Sequence, residues 1–184
     1  MITSYSFSTL PVTRWKNGKG ETREIIRVAS GDADFLWRAS MATLQDDGPF
    51  SLFPDVDRVL VLVDGSPLWI HGEGIEHHLQ PGVPWAFAGE WPLVTKGIST
   101  PGLDFNVMTQ RKRVVAQPRV MTAPCLPAKD GVAYVLSGHW RLNGESHGVK
   151  SGIVWQNESP GLLRPESADA QLLLVEIIPV QSAG

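Results

Sequence analysis

Four short blocks between residues 15 and 108 set charged and hydrogen-bonding side chains beside aromatic ones. They are Trp15-Lys16-Asn17-Gly18-Lys19-Gly20, followed by Thr22 and Glu24; Trp37-Arg38-Ala39-Ser40; Asp47-Gly48-Pro49-Phe50-Ser51-Leu52-Phe53-Pro54, followed by Asp57-Arg58; and Asp104-Phe105-Asn106-Val107-Met108. Lys16, Arg38 and Arg58 carry positive charge, and an arginine fork grips a carboxylate through two parallel hydrogen bonds. Asn17, Thr22, Ser40 and Asn106 add neutral groups that can read an amide or hydroxyl. Trp15, Trp37, Phe50 and Phe53 would wall such a site, because small-molecule pockets are largely apolar with a few placed polar groups. The candidate ligand-binding set is therefore Lys16, Asn17, Thr22, Glu24, Arg38, Ser40, Phe50, Arg58 and Asn106, and the ligand class is a small carboxylate. The competing reading is structural: Trp15 and Trp37 as core, and Gly18, Gly20 and Gly48 as left-handed turn residues. Lys16 and Arg38 resist it, because charge among aromatic and small residues costs free energy unless it is paired.

Other chemistries find less footing. Glu24, Asp57 and Asp104 are candidate bases for a metal-independent isomerase, epimerase or hydrolase. Asp57 and Arg58 could equally fix turns and pair with neighbours. No G-x-S-x-G elbow occurs, and the lone Cys125 lies in a proline-rich stretch. Asn17-Gly18-Lys19-Gly20 lacks the spacing of a phosphate loop, and no helical pattern follows it. Of the five histidines, His71, His77, His78, His139 and His147, the adjacent His77 and His78 would point to opposite faces of a strand. His139 and His147 flank an expected hairpin at Arg141-Leu142-Asn143-Gly144-Glu145 and should be exposed. Neither a metal nor a cofactor is expected.

The elements that must position these residues are strands. With 18 glycines and 14 prolines, the chain is broken into segments too short for long helices. Segments 22–28, 35–44, 58–63, 103–109, 132–136 and 171–178 are rich in β-branched, aromatic and leucine residues at strand length. Such spacing predicts an all-β sandwich or barrel. Alternation in 35–44 places Phe35, Trp37, Ala39 and Met41 on one face and Arg38 and Ser40 on the other. The proline-rich segment 118–129 reads as a linker, giving units 1–117 and 118–184. A repeat supports two units: Gly65, Trp69, Pro81-Gly82 and Trp85 in the first are echoed by Gly138, Trp140, Ser151-Gly152 and Trp155 in the second.

Composition narrows the function classes. The chain has 184 residues, 42% of them hydrophobic and 19% charged, which suits an ordinary globular protein with a sizeable core. A net charge of -3 argues against a nucleic-acid binder, and Arg111-Lys112-Arg113 reads as a solvated strand end or loop. One cysteine permits no intramolecular disulfide. Residues 1–8 lack the pattern of a secretory signal, and the apolar run 59–63 is too short to span a bilayer. The expected location is the cytoplasm and the expected partner a small anionic metabolite, with neither nucleic acid nor membrane involved. An exposed β-edge or apolar patch that binds a protein partner is a third reading.

Three phrases in order, W-K-N-G-x-G-x-T at Trp15 to Thr22, D-G-P-F-S-x-F-P-x-x-D-R at Asp47 to Arg58 and G-x-D-F-N-x-M at Gly102 to Met108, resemble the HutD/Ves family of small bacterial proteins. The resemblance covers about residues 13–108 and lies closer to the Ves side. It implies a double-stranded β-helix of the cupin (RmlC-like jelly-roll) type, with two fused barrels in one chain, a bicupin. It also implies an association with histidine utilisation or stress response and allows a homodimer, but it supplies no agreed reaction. Metal-dependent cupins typically bind through H-x-H, a glutamate seven residues before a glycine, and a later histidine. Aligned on Gly65, the glutamate position falls on Arg58, the H-x-H region on residues 52–54 and the later histidine near Trp85. Aligned on Gly138, they fall on Gly131 and near Trp155. The resemblance therefore implies a metal-free protein that binds or senses a small molecule, with a metal-independent cupin enzyme as the alternative.

Overall fold

The computed structural model describes residues 1–181. Their strands are β1 (Ile2–Ser6), β2 (Val12–Arg14), β3 (Glu21–Val28), β4 (Trp37–Leu44), β5 (Val56–Asp64), β6 (Leu68–Gly72), β7 (Ile75–Leu79), β8 (Trp85–Ala88) and β9 (Val94–Lys96). They continue with β10 (Gly102–Gln110), β11 (Val114–Met121), β12 (Gly131–Ser137), β13 (Trp140–Leu142), β14 (Glu145–His147), β15 (Ser151–Trp155), β16 (Arg164–Pro165) and β17 (Gln171–Pro179). The only helical element among the described residues is a 3-10 turn at Phe7–Thr9. The expected all-β class is observed. Five of the six expected segments lie inside strands, while 35–44 starts early, with Phe35 and Leu36 leading into β4.

The chain divides into two compact units, Pro11–Arg113 and Met1–Leu10 combined with the residues from Val114 onward. This differs from the expected 1–117 and 118–184. Segment 118–129 does not begin as a linker, because Pro118 sits within β11, opposite Val175 of β17. β11 is a sheet edge, where a proline forfeits no ladder hydrogen bond on its open side. The first ten residues belong with the later unit because β1 pairs with β15, from Ile2↔Trp155 to Ser6↔Ser151.

In the unit Pro11–Arg113, a six-stranded sheet runs β2-β3-β4-β10-β5-β8 and a three-stranded sheet runs β7-β6-β9. Leu60, Leu62 and Phe87 of the larger sheet cluster with Leu68, Ile70 and Leu79 of the smaller one, so an apolar core closes one end between the sheets. On the opposite face of the larger sheet, Trp37, Ala39, Met41, Val59, Val61, Phe105 and Val107 are also buried. Strands buried on both faces lose the clean apolar-polar alternation. The β5 sequence Val-Leu-Val-Leu-Val is an example.

In the other unit the larger sheet runs β1-β15-β12-β17-β11 and the smaller β14-β13-β16. Ala133, Val135, Ile153, Trp155, Leu172 and Leu174 pack with Trp140 and Leu142 into a closed core. His147, expected to be exposed, is buried, because it lies opposite Trp140 in the β13–β14 pairing. No helix among the described residues is long and apolar enough to cross a membrane.

Candidate functional site

Strand register builds the site. Across β4, β10 and β5 the Cα pairing aligns Arg38, Met108 and Arg58 in one row, Ser40, Asn106 and Leu60 in the next, and Ala42, Asp104 and Leu62 in the third. β3 extends two of these rows with Glu24 and Thr22. Because residues two apart share a face of a strand, one side of the sheet becomes a grid, polar over β4 and β10 and apolar toward the β5–β8 edge. A cavity of about 610 Å³ opens over the polar part.

Two local structures frame the cavity. The first is the β2–β3 hairpin, where the Trp15 and Gly18 amides donate to Gly20 and Trp15 carbonyls and the Lys19 amide donates to Asn17 Oδ1 at 2.9 Å. Gly18 has φ +71, and a Cβ at Gly20 would come within 2.7 Å of the Trp15 ring. Glycine at position 18 thus meets a left-handed turn and glycine at position 20 a close approach. Trp15 Nε1 donates to Thr22 Oγ1 at 2.9 Å.

The second is the strap 47–53. Asp47 accepts from the Gly97 and Ile98 amides at 3.1 and 3.0 Å, and those bonds hold its carboxyl below the usual range. The Phe50 amide donates to Leu93 and that of Phe53 to Gly89, each at 2.9 Å. Pinned in this way, the strap lays Phe50 and Phe53 over Arg58.

Arg58 is the centre of the site. It is 5% exposed, and its guanidinium carbon lies 5.4, 5.4 and 5.1 Å from the ring centroids of Phe50, Phe53 and Phe87. Each desolvated cation-ring contact contributes roughly 1–2 kcal/mol, against several kcal/mol for removing the charge from water. Its Nη2 donates to Asn106 Oδ1 at 2.7 Å, and Asn106 Nδ2 donates to Asp104 Oδ1 at 2.6 Å. Arg58 Nε is buried with no hydrogen-bond partner, and among the described residues no carboxylate lies within 4.0 Å of the guanidinium. Burial pushes Arg58 down to about 10 against the pull of Asp104, which leaves it charged at neutral pH.

Asp104 is 2% exposed and its carboxyl is raised to about 7, because burial outweighs Arg58, the Ala42 amide and Asn106. Arg38 differs from Arg58 in having a direct partner. Its Nε donates to Glu24 Oε1 at 2.9 Å, and Arg27 Nε donates to the same oxygen at 3.0 Å. Burial alone would raise Glu24, but these two arginines hold it below the usual range.

Eight of the nine candidates, Lys16, Asn17, Thr22, Arg38, Ser40, Phe50, Arg58 and Asn106, line the cavity. Glu24 does not; it stands behind Arg38 as its counter-ion. Trp37, expected as a wall, is 2% exposed on the opposite face, as its parity with Ala39 and Met41 dictates. Trp15 lines the cavity and is 38% exposed, so it is not core. Lys16 is exposed, and the cation whose burial lacks full compensation is Arg58, not Lys16 or Arg38. Asp57 points away from the site and bonds to Arg111 Nε at 2.7 Å, the structural role weighed for it. Asp104, a candidate base outside the ligand-binding set, also lines the cavity, as its spacing of two from Asn106 on one strand face requires.

Among the described residues no three His, Cys, Asp or Glu side chains cluster in a way that could hold a metal ion. His77 stacks on Trp85 at 4.3 Å and His78 on Trp69 at 4.4 Å, in keeping with opposite faces of β7.

Comparison with known proteins gives this geometry a family. Residues 7–171 match the HutD family. The chain is 42% identical over 179 residues to Protein Ves of Cronobacter sakazakii, covering 94% of this chain and 97% of that one. The structure of HutD from Pseudomonas fluorescens SBW25 superposes with a TM-score of 0.85 at 24% identity, covering 98% of this chain and 100% of that one. A cupin 2 conserved barrel domain protein from Leptotrichia buccalis superposes with a TM-score of 0.61 at 12% identity, covering 95% and 96%. The chain therefore has a cupin-like, all-β fold and belongs to the HutD/Ves family.

Proposed function

We propose that this protein binds a small carboxylate metabolite in the cavity of the unit Pro11–Arg113, using its own side chains in place of a metal. The observation that carries the reading is Arg58, a buried guanidinium whose Nε lacks a partner while three rings shield it from water. A buried cation in that state gains more from an arriving anion than a solvated one does. By the cupin resemblance Arg58 occupies the position of the metal-binding glutamate, which supports a cationic side chain doing what a metal does elsewhere. Thr22, Ser40 and the exposed Lys16 would contact the rest of the ligand. The shared strand order of the two larger sheets, β4-β10-β5-β8 and β11-β17-β12-β15, supports two fused barrels. We place the protein in the cytoplasm, with a ligand drawn from histidine breakdown or a stress response.

One observation favours turnover as a second reading: Asp104, of the three candidate bases, lines the cavity and is raised into the range useful to a general acid or base.

A thermal-shift panel of small carboxylates, led by intermediates of histidine breakdown and run with and without chelator, tests binding. A ligand at about a hundred times its Kd adds roughly 2.7 kcal/mol, which raises the midpoint by several degrees. The expected result is a shift insensitive to chelator, and a panel silent throughout would sink the proposal. Product analysis of the same mixtures separates binding from turnover.

A further inference from the structure

We propose that carboxylate binding in this cavity places a proton on Asp104, so that Arg58 exchanges one negative partner, the aspartate, for another, the ligand. The inference rests on the carboxylate-binding reading above and goes beyond it by naming the group that titrates and the sense of the coupling.

The geometry that carries it is a three-member relay. Arg58 and Asp104 do not touch; Asn106 stands between them, taking a hydrogen bond from Arg58 Nη2 at 2.7 Å and giving one to Asp104 Oδ1 at 2.6 Å. In the free protein above about pH 7, Asp104 is the buried negative charge on which Arg58 draws, at one residue's remove. A ligand carboxylate on the Arg58 fork would put a second negative charge beside a carboxyl that is only 2% exposed. Two carboxylates cannot both stay ionised against one buried guanidinium, so the less well partnered one takes a proton. Asp104 is that group, because its guanidinium partner is indirect, whereas the ligand would take the guanidinium's free donors. The proton comes from solvent and no other bond is made or broken.

The remaining charges around Asp104 do not replace this exchange. Lys16 and Lys19 come from the β2–β3 hairpin, Asp46 and Asp47 from the segment after β4, and Arg38 from β4 with Glu24 of β3 as its counter-ion. Asp47 is engaged with the Gly97 and Ile98 amides. Asp104, already raised to about 7 by burial, is poised for such an exchange near neutral pH. Ligand affinity would then fall as pH rises through this value.

The test uses the full chain with 13C-labelled aspartate, following the Asp104 carboxyl by NMR against pH with and without saturating acetate. The acetate Kd is measured across the same pH range for wild type and Asp104→Asn. The expected result is an Asp104 midpoint that rises by about one pH unit or more with acetate, and a wild-type affinity that weakens between the free and bound midpoints by a total of roughly tenfold per unit of that rise. Asp104→Asn, which mimics the protonated carboxyl, should hold its affinity nearly constant. Acetate that binds without moving the Asp104 midpoint would overturn the exchange while leaving the binding site standing. Acetate that fails to bind at any pH would overturn both. The wild-type titration decides the matter even if the variant does not fold.

Discussion

The two units share a strand order but fill the space over the larger sheet differently. On β17 Leu172 and Leu174 pack with Trp140 and Trp155 into a closed core. On β10, at the same place in the order, Asp104, Asn106 and Met108 line a cavity. Each unit also carries one buried charge system. Glu176 on β17 bonds directly to Arg119 and accepts from the Ala128 amide at 2.8 Å, so both of its oxygens are engaged. Arg58 instead reaches its carboxylate through an asparagine and keeps Nε without a partner. A fully partnered buried charge serves the fold, whereas an incompletely partnered one facing a cavity is available to a ligand.

The sharpest way to break this contrast is to make the closed unit resemble the open one. Leu174→Asn would remove a fully buried side chain and leave an amide without partners. The expected loss is about 4 kcal/mol, read from the denaturant midpoint; a loss under about 1 kcal/mol would show that the core tolerates polar groups and that the contrast lacks energetic content.

Next comes Asp104. Its carboxyl is raised in the fold relative to the unfolded chain, so between about pH 4 and 7 the native state binds the extra proton and stability falls as pH rises. Above about 7 the penalty is complete and constant. A shift of this size corresponds to roughly 4 kcal/mol. Asp104→Asn should flatten that stretch of the stability-pH curve, and an unchanged slope would assign the dependence to other groups.

Arg58→Met should weaken acetate at least roughly 100-fold. At about pH 6, where Asp104 holds its proton, it should change stability by no more than about 1 kcal/mol, since an apolar side chain can replace a buried charge at little cost. Parallel loss of stability and binding would mean that Arg58 is a fold residue. The smallest effect is expected for Glu24→Gln, which keeps an acceptor for Arg38 but removes the charge. Acetate should then bind about two- to five-fold tighter by titration calorimetry, and weaker binding would show that Glu24 acts by positioning Arg38.

Much of this arrangement was legible in the sequence because period-two alternation fixes faces. Arg38 and Ser40 were separable from Trp37, Ala39 and Met41 before any register was known, and the same parity excludes Trp37 from the cavity wall and pairs Asp104 with Asn106. Partnership across the sheet was not legible. That Glu24 neutralises Arg38 while Arg58 has only Asn106 depends on which strands become neighbours and on the strap that lays Phe50 and Phe53 over Arg58. The boundary read from the prolines differs from the observed division for a related reason. Prolines at 118, 124 and 127 look like a linker, but an edge strand accommodates Pro118, and nothing local in Ile2–Ser6 announces a partner some 150 residues away.

The most direct measurement is an acetate titration of 15N-labelled protein followed at the arginine Nε–H resonances, with Arg58 assigned by its loss in Arg58→Lys. The Arg58 Nε–H, which has no hydrogen-bond partner in the protein, is expected to move saturably as acetate binds and to show the largest shift among the arginines. Acetate binding that leaves the Arg58 resonance in place would contradict the assignment of this guanidinium as the anion anchor.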